Sequence, residues 1–116
     1  MNIEELTEYC QSLKQVTTVI QWGDVLVFKV AGKMFCFVPM DESELMMNLK
    51  CDPDEALELR ERFAAVIPGF HMNKKYWNTV IIDGSISDSM LRVWIEKSYR
   101  LVVAKLSKNE REKWGI

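Results

Sequence analysis

The chain has 116 residues, 48% hydrophobic and 28% charged, with a formal net charge of -2 and a pI near 5.4. This length predicts a single domain spanning residues 1–116, with enough apolar surface to close a core without disulfides or metals. The slightly acidic balance argues against a strongly electrostatic nucleic-acid binder but leaves room for a local basic face, and no apolar run approaches the length of a membrane span.

Asn2, with Glu5 three residues later, forms a capping-box signature. Leu6, Tyr9, Cys10 and Leu13 then recur at helical spacing and predict a helix over about residues 3–14. The acidic, amphipathic start does not read as a signal peptide. Residues 16–22 are β-branched and apolar and read as a short strand or an extended lead-in. Gly23-Asp24 is a turn. Residues 25–30 and 33–38 read as two strands joined at Ala31-Gly32, a hairpin ended by Pro39. Residues 45–50 read as a further strand, with Leu45, Met47 and Leu49 facing the core and Met46, Asn48 and Lys50 facing away.

Asp52-Pro53-Asp54-Glu55 is a helix start, with Asp52 as N-cap, Pro53 in the first turn and Glu55 closing a capping box. Ala56, Leu59, Phe63 and Val66 make its apolar stripe, Arg60 and Arg62 complement its dipole, and Pro68-Gly69 ends it. Residues 70–76 read as a loop and 77–82 as a strand. A last helix, capped by Ser85 or Ser87, runs to about Leu106, with Arg92, Glu96 and Arg100 on its outer face. Residues 108–116 read as a frayed extra turn. The order α-β-β-β-α-β-α, with room for one more strand, predicts an α+β domain: a two-layer α/β sandwich with helices packed on a mainly antiparallel sheet.

The residues that could carry chemistry are few. His71, the one histidine, lies beside Lys74 and Lys75, without a neighbouring nucleophile or acid. An enzyme would use it as a general base, whereas a structural role would have its ring anchor the loop. It stands apart from other metal ligands, so no metal and no cofactor is expected. Lys74, Lys75, Tyr76 and Trp77 place cations beside aromatics, as nucleic-acid surfaces do; Lys29, Lys33, Lys50, Arg92 and Arg100 could join them on one face. Trp22, Trp94 and Phe28, Phe35, Phe37 and Phe63 are most simply core. Cys10, Cys36 and Cys51 are odd in number and lack metal or redox spacing, which suits reduced thiols in the cytoplasm. Cys36 reads as a buried hydrophobe, and Cys51 sits at a helix start, where a thiol pKa can fall.

Gly32-Lys33-Met34-Phe35, Leu49-Lys50-Cys51-Asp52-Pro53, the run from Pro68-Gly69-Phe70-His71-Met72-Asn73-Lys74 through Lys75-Tyr76-Trp77-Asn78-Thr79-Val80, and Ser98-Tyr99-Arg100-Leu101-Val102 together resemble the MmcQ/YjbR family. The match extends from Leu6 to Leu106, and His71-Met72-Asn73-Lys74 with Trp77 is its most specific part. The resemblance implies a small bacterial cytoplasmic protein with a secretion-chaperone-like, two-layer fold. It also implies DNA binding through a double-wing motif, with interest on Lys33, Lys50, His71, Asn73, Lys74, Trp77 and Tyr99. Tyr76 replaces a histidine common in relatives, and Ser87 a proline. The expectation is a non-enzymatic DNA-binding module using Lys33, Lys50, Lys74, Lys75 and Arg100. The alternatives are a protein-interaction or chaperone-like domain, including a homodimer, and a small-ligand site around His71 and Asn73.

Overall fold

The computed structural model describes residues 1–69 and 72–116. Its elements are α1 (Ile3–Ser12), β1 (Val16–Gln21), β2 (Val25–Val30), β3 (Lys33–Pro39), β4 (Met46–Lys50), α2 (Pro53–Arg62), β5 (Val66–Pro68), β6 (Trp77–Ile81), α3 (Asp88–Ala104) and α4 (Lys108–Trp114). The strands form one six-stranded sheet in the order β1-β2-β3-β4-β6-β5. Every neighbouring pair is antiparallel. Helices packed on this sheet complete the expected α+β architecture.

Local chemistry accounts for the helix starts. The Asn2–Glu5 capping box of α1 forms as expected. Asp52 caps α2 by accepting the Asp54 and Glu55 backbone N–H groups. The Glu55 carboxylate, however, is engaged 2.8 Å from Lys97 Nζ on α3 instead of closing a capping box. Ser87, not Ser85, caps α3. Residues 108–114 are not a frayed turn: Ser107 and Glu110 form a second capping box, and α4 ends at Gly115 with φ of 68°.

The second helix is shorter than its apolar stripe suggests. It stops at Arg62, with Phe63 as C-cap, and Val66 begins β5, paired with Val80 of β6. Pro68 therefore ends a strand, not a helix. Phe63 still reaches the helix layer, its ring 5.2 Å from that of Trp94.

The main core lies between the helices and one sheet face, where Leu6, Phe28, Phe35, Met47, Leu49, Val80, Leu91 and Ile95 are almost wholly buried. Burying one such large apolar side chain stabilises the fold by about 1.5–3 kcal/mol. A smaller cluster, Val27, Phe37 and Trp77, occupies the other face, with Met34, Met72 and Tyr76 packed against it. Asn48 keeps the expected alternation, on the face opposite Met47 and Leu49, but is buried there: it is 1% exposed, donating to the Phe37 carbonyl and accepting from Thr79 Oγ1. Trp22 is not core. It is 63% exposed in the β1–β2 turn.

One irregularity shapes the end of the sheet. Phe28 pairs with Cys36 but Lys29 pairs with Met34, so Phe35 is an extra residue on β3. The bulge lets both Phe35 and Cys36 enter the core. The β3–β4 ladder runs through Phe37↔Asn48 and Cys36↔Leu49. Where Phe35 would next meet Lys50, the buried Ser98 hydroxyl of α3 intervenes. It donates to the Phe35 carbonyl at 2.5 Å and accepts from the Lys50 N–H at 2.9 Å.

Candidate nucleic-acid interface

The basic residues singled out in the sequence separate into two groups. Lys33 begins β3, Lys50 ends β4, and Lys75 lies in the loop before β6, so all three come to one end of the sheet. Lys105, the C-cap of α3, joins them and was not among the expected site residues. Its sequence position explains this, because a lysine closing a helix reads as a complement to the dipole. Lys75 Nζ and Lys105 Nζ each lie 5.5 Å from the centroid of the half-buried Tyr76 ring. Burial lowers the Lys50 pKa from its ordinary value, and the neighbouring charges of Lys105 and Lys33 lower it further. The lysines thus act on one another, with one compensating carboxylate near Lys33: Glu110, at 3.6 Å.

Lys74 and Arg100 do not join this group. Lys74 Nζ turns back to the Gly69 carbonyl at 3.3 Å. Arg100 is paired with Glu96 at 2.8 Å on α3. It lines a different groove, with Leu13, Tyr99 and Arg111. Among the resemblance residues, Trp77 is a buried packing residue of the second face. Tyr99 ties α3 to the end of α1, its hydroxyl donating to the Lys14 carbonyl at 2.6 Å, with its ring against Phe35. Asn73 shapes the loop by accepting the Lys75 N–H at 2.9 Å. The expected roles of His71 lie outside the described residues.

Arg60 positions the loop, a role that sequence spacing on α2 does not reveal. Its Nε donates to Asn78 Oδ1 at 2.6 Å, and its guanidinium also reaches the carbonyls of Lys74 and Trp77. Asn78, 1% exposed, returns a bond to the Ala56 carbonyl of α2. The Cys51 N–H donates to the Tyr76 carbonyl at 2.7 Å. The Lys75-Tyr76 segment is therefore held from α2 and from the end of β4. Cys51 itself is no activated thiol: burial and the Glu55 carboxylate push its pKa up to about 11, overriding the expected effect of the helix start.

The arrangement offers ammonium groups around an aromatic ring and suits an anion with planar groups. Among the described residues no cluster of His, Cys, Asp and Glu could hold a metal ion.

Comparison with known proteins agrees on a family. The YjbR family profile matches residues 11–101. The uncharacterised protein YjbR of Escherichia coli (strain K12) is 32% identical over 114 residues, covering 97% of this chain and 96% of that protein. The uncharacterised protein YbdF of Escherichia coli O157:H7 is 37% identical over 87 residues, 75% of this chain and 71% of that one. The crystal structure of Deinococcus radiodurans protein DR2400, of the DUF419 domain family, superposes with a TM-score of 0.93 at 32% identity, covering 99% of this chain and 88% of that one. With a profile spanning most of the sheet and α3, and a full-length relative and solved structure beside it, the chain belongs to the YjbR family.

Proposed function

We propose that this chain is a non-enzymatic, cytoplasmic DNA-binding domain whose contact surface is Lys33, Lys50, Lys75 and Lys105 around Tyr76. One observation carries the reading: Lys75 and Lys105, from distant segments, meet one aromatic ring, and Lys105 together with Lys33 stands close enough to Lys50 to lower its pKa beyond the effect of burial. Gathering like charges costs stability unless a polyanion meets them. The ammonium groups contact phosphates, and the tyrosine supplies a surface for a sugar or base. The overall charge of -2 gives weak long-range attraction, so affinity rests on this local cluster.

The test is fluorescence anisotropy with a mixed-sequence duplex across a salt series. If the lysines release about four counterions, affinity falls by about 100-fold between 50 and 200 mM salt. Replacing Lys50, Lys75 and Lys105 with Gln flattens that slope, whereas Arg100→Gln leaves it unchanged. Absence of binding at low salt, or equal losses in both variants, refutes the reading.

A second reading, pairing with another protein chain, is favoured by edge strand β1. It contains no charged residue, and Val19 and Ile20 on it are exposed. Sedimentation would then reveal a dimer that Ile20→Lys dissociates.

A further inference from the structure

A second candidate site lies at the opposite end of β3 and β4 from the lysines. There the β1–β2 turn, the end of β3 and the start of β4 enclose a groove of about 480 Å³. Its walls include Trp22, Phe37, Met46 and Met72, and its rim carries Asp41 and Glu42. The volume is of the size that small organic ligands occupy.

The character of these walls narrows the ligand. Trp22 is 63% exposed and its backbone has φ of 50°, a left-handed conformation that a bulky residue rarely adopts. The exposed indole is thus held at the groove at a conformational cost. It meets Phe37 with centroids 6.2 Å apart and planes at 79°, so the rings form a corner, not a stack. Electron-rich ring faces attract cations, and thioethers adapt to irregular apolar shapes. The charged side chains among the described lining residues, Asp41 and Glu42, are both acidic. Asn48 in the floor is turned to the protein, bonded to the Phe37 carbonyl and Thr79 Oγ1.

We propose that this groove binds a small organic ammonium ion, its apolar body against Phe37, Met46 and Met72 and its charged head between Trp22 and the Asp41-Glu42 rim. A free small molecule fits better than a peptide. The strands beneath the groove, β2, β3 and β4, are paired on both sides, so an extended chain finds no open sheet edge there. The site shares no residue with the lysine surface, so the two proposals stand or fall separately.

The test uses benzyltrimethylammonium as probe, with benzyl alcohol and benzoate as neutral and anionic comparators. Binding is followed by the Trp22 indole N–H resonance and the amides of Phe37 and Met46. The ammonium ion should produce saturable shifts at these positions. Its affinity should exceed that of benzyl alcohol, and should weaken about fivefold or more in Trp22→Leu and in the double variant Asp41→Asn/Glu42→Gln. Equal binding of benzyl alcohol, unchanged affinity in either variant, or shifts confined to other acidic residues would overturn the proposal. Tighter binding of a trimethyllysine peptide than of the free ion would overturn its small-molecule assignment.

Discussion

Ser98 stands where the β3–β4 ladder gives way to the bulge, and Ser98→Ala tests how much that plug contributes. The hydroxyl is 1% exposed and serves two backbone groups, the Phe35 carbonyl and the Lys50 N–H. Alanine removes both bonds and admits no water to replace them. Each lost bond contributes about 1 kcal/mol, and a buried carbonyl left without a partner adds about 1–3 kcal/mol, so the expected loss is about 3–5 kcal/mol. Unfolding entropy is about 2.1 cal/mol/K per residue, which for this chain converts the loss into a fall of about 12–20 °C in Tm. The assay is urea and thermal unfolding, with amide exchange at Lys50 as the local readout. Arg100→Ala on the same helix is the control. Its side chain is 71% exposed, and losing its pair with Glu96 should cost about 0.5 kcal/mol or less. A Ser98→Ala protein melting within about 2 °C of the parent, with Lys50 still protected, would show that the hydroxyl plug contributes nothing to the fold.

Gly69→Ala should destabilise by about 1–3 kcal/mol in urea unfolding, because a Cβ there would stand 2.7 Å from Trp77 Cβ and 2.8 Å from the Trp77 carbonyl oxygen; an unchanged midpoint would show that the loop yields freely. Cys51 should resist alkylation: with its pKa pushed up to about 11, its thiolate fraction at pH 8 is about 100-fold below that of an ordinary thiol. Iodoacetamide labelling read by mass spectrometry checks this, and labelling at the rate of a free cysteine peptide refutes it. The same group should make the fold less stable as pH rises. The folded state keeps a proton that the unfolded thiol releases above about 9, so stability falls from there up to about 11, where the folded thiol also ionises.

Much of this architecture could be read from the chain because its signals are local. Asn2 with Glu5, Asp52 with Pro53, and Ser87 announce helix starts through groups that bond within three residues. The alternation and turn residues of residues 25–39 likewise set a hairpin. What escaped depends on distant partners. Strand β5 has three residues, too few for a period of its own, and Val66 continues the spacing of Ala56, Leu59 and Phe63, so the segment reads as helix. The side of the sheet that Asn48 takes is legible, but its burial there is not, because its partners, Phe37 and Thr79, come from other strands. Trp22 reads as core because tryptophan usually is, and only the turn geometry leaves it exposed.

The same distinction governs the candidate surfaces. Lysines near His71 attract attention by adjacency, yet Lys74 is turned back to Gly69, while Lys105, thirty residues downstream of Lys75 in the numbering, meets the same Tyr76 ring. Polar bonds brace this end of the sheet: Ser98 at the Lys50 N–H, and Arg60 with Asn78 behind the Lys75-Tyr76 loop. Well-packed apolar side chains would build a core with fewer demands on geometry. Directional bonds instead fix where Lys50 and Tyr76 emerge, and the proposed phosphate contacts depend on that placement. The acidic groove has a different support, an exposed tryptophan held in a turn above central strands. The two proposed sites, of opposite charge at opposite ends of β3 and β4, would take ligands of opposite charge, and substitutions at one should leave binding at the other intact.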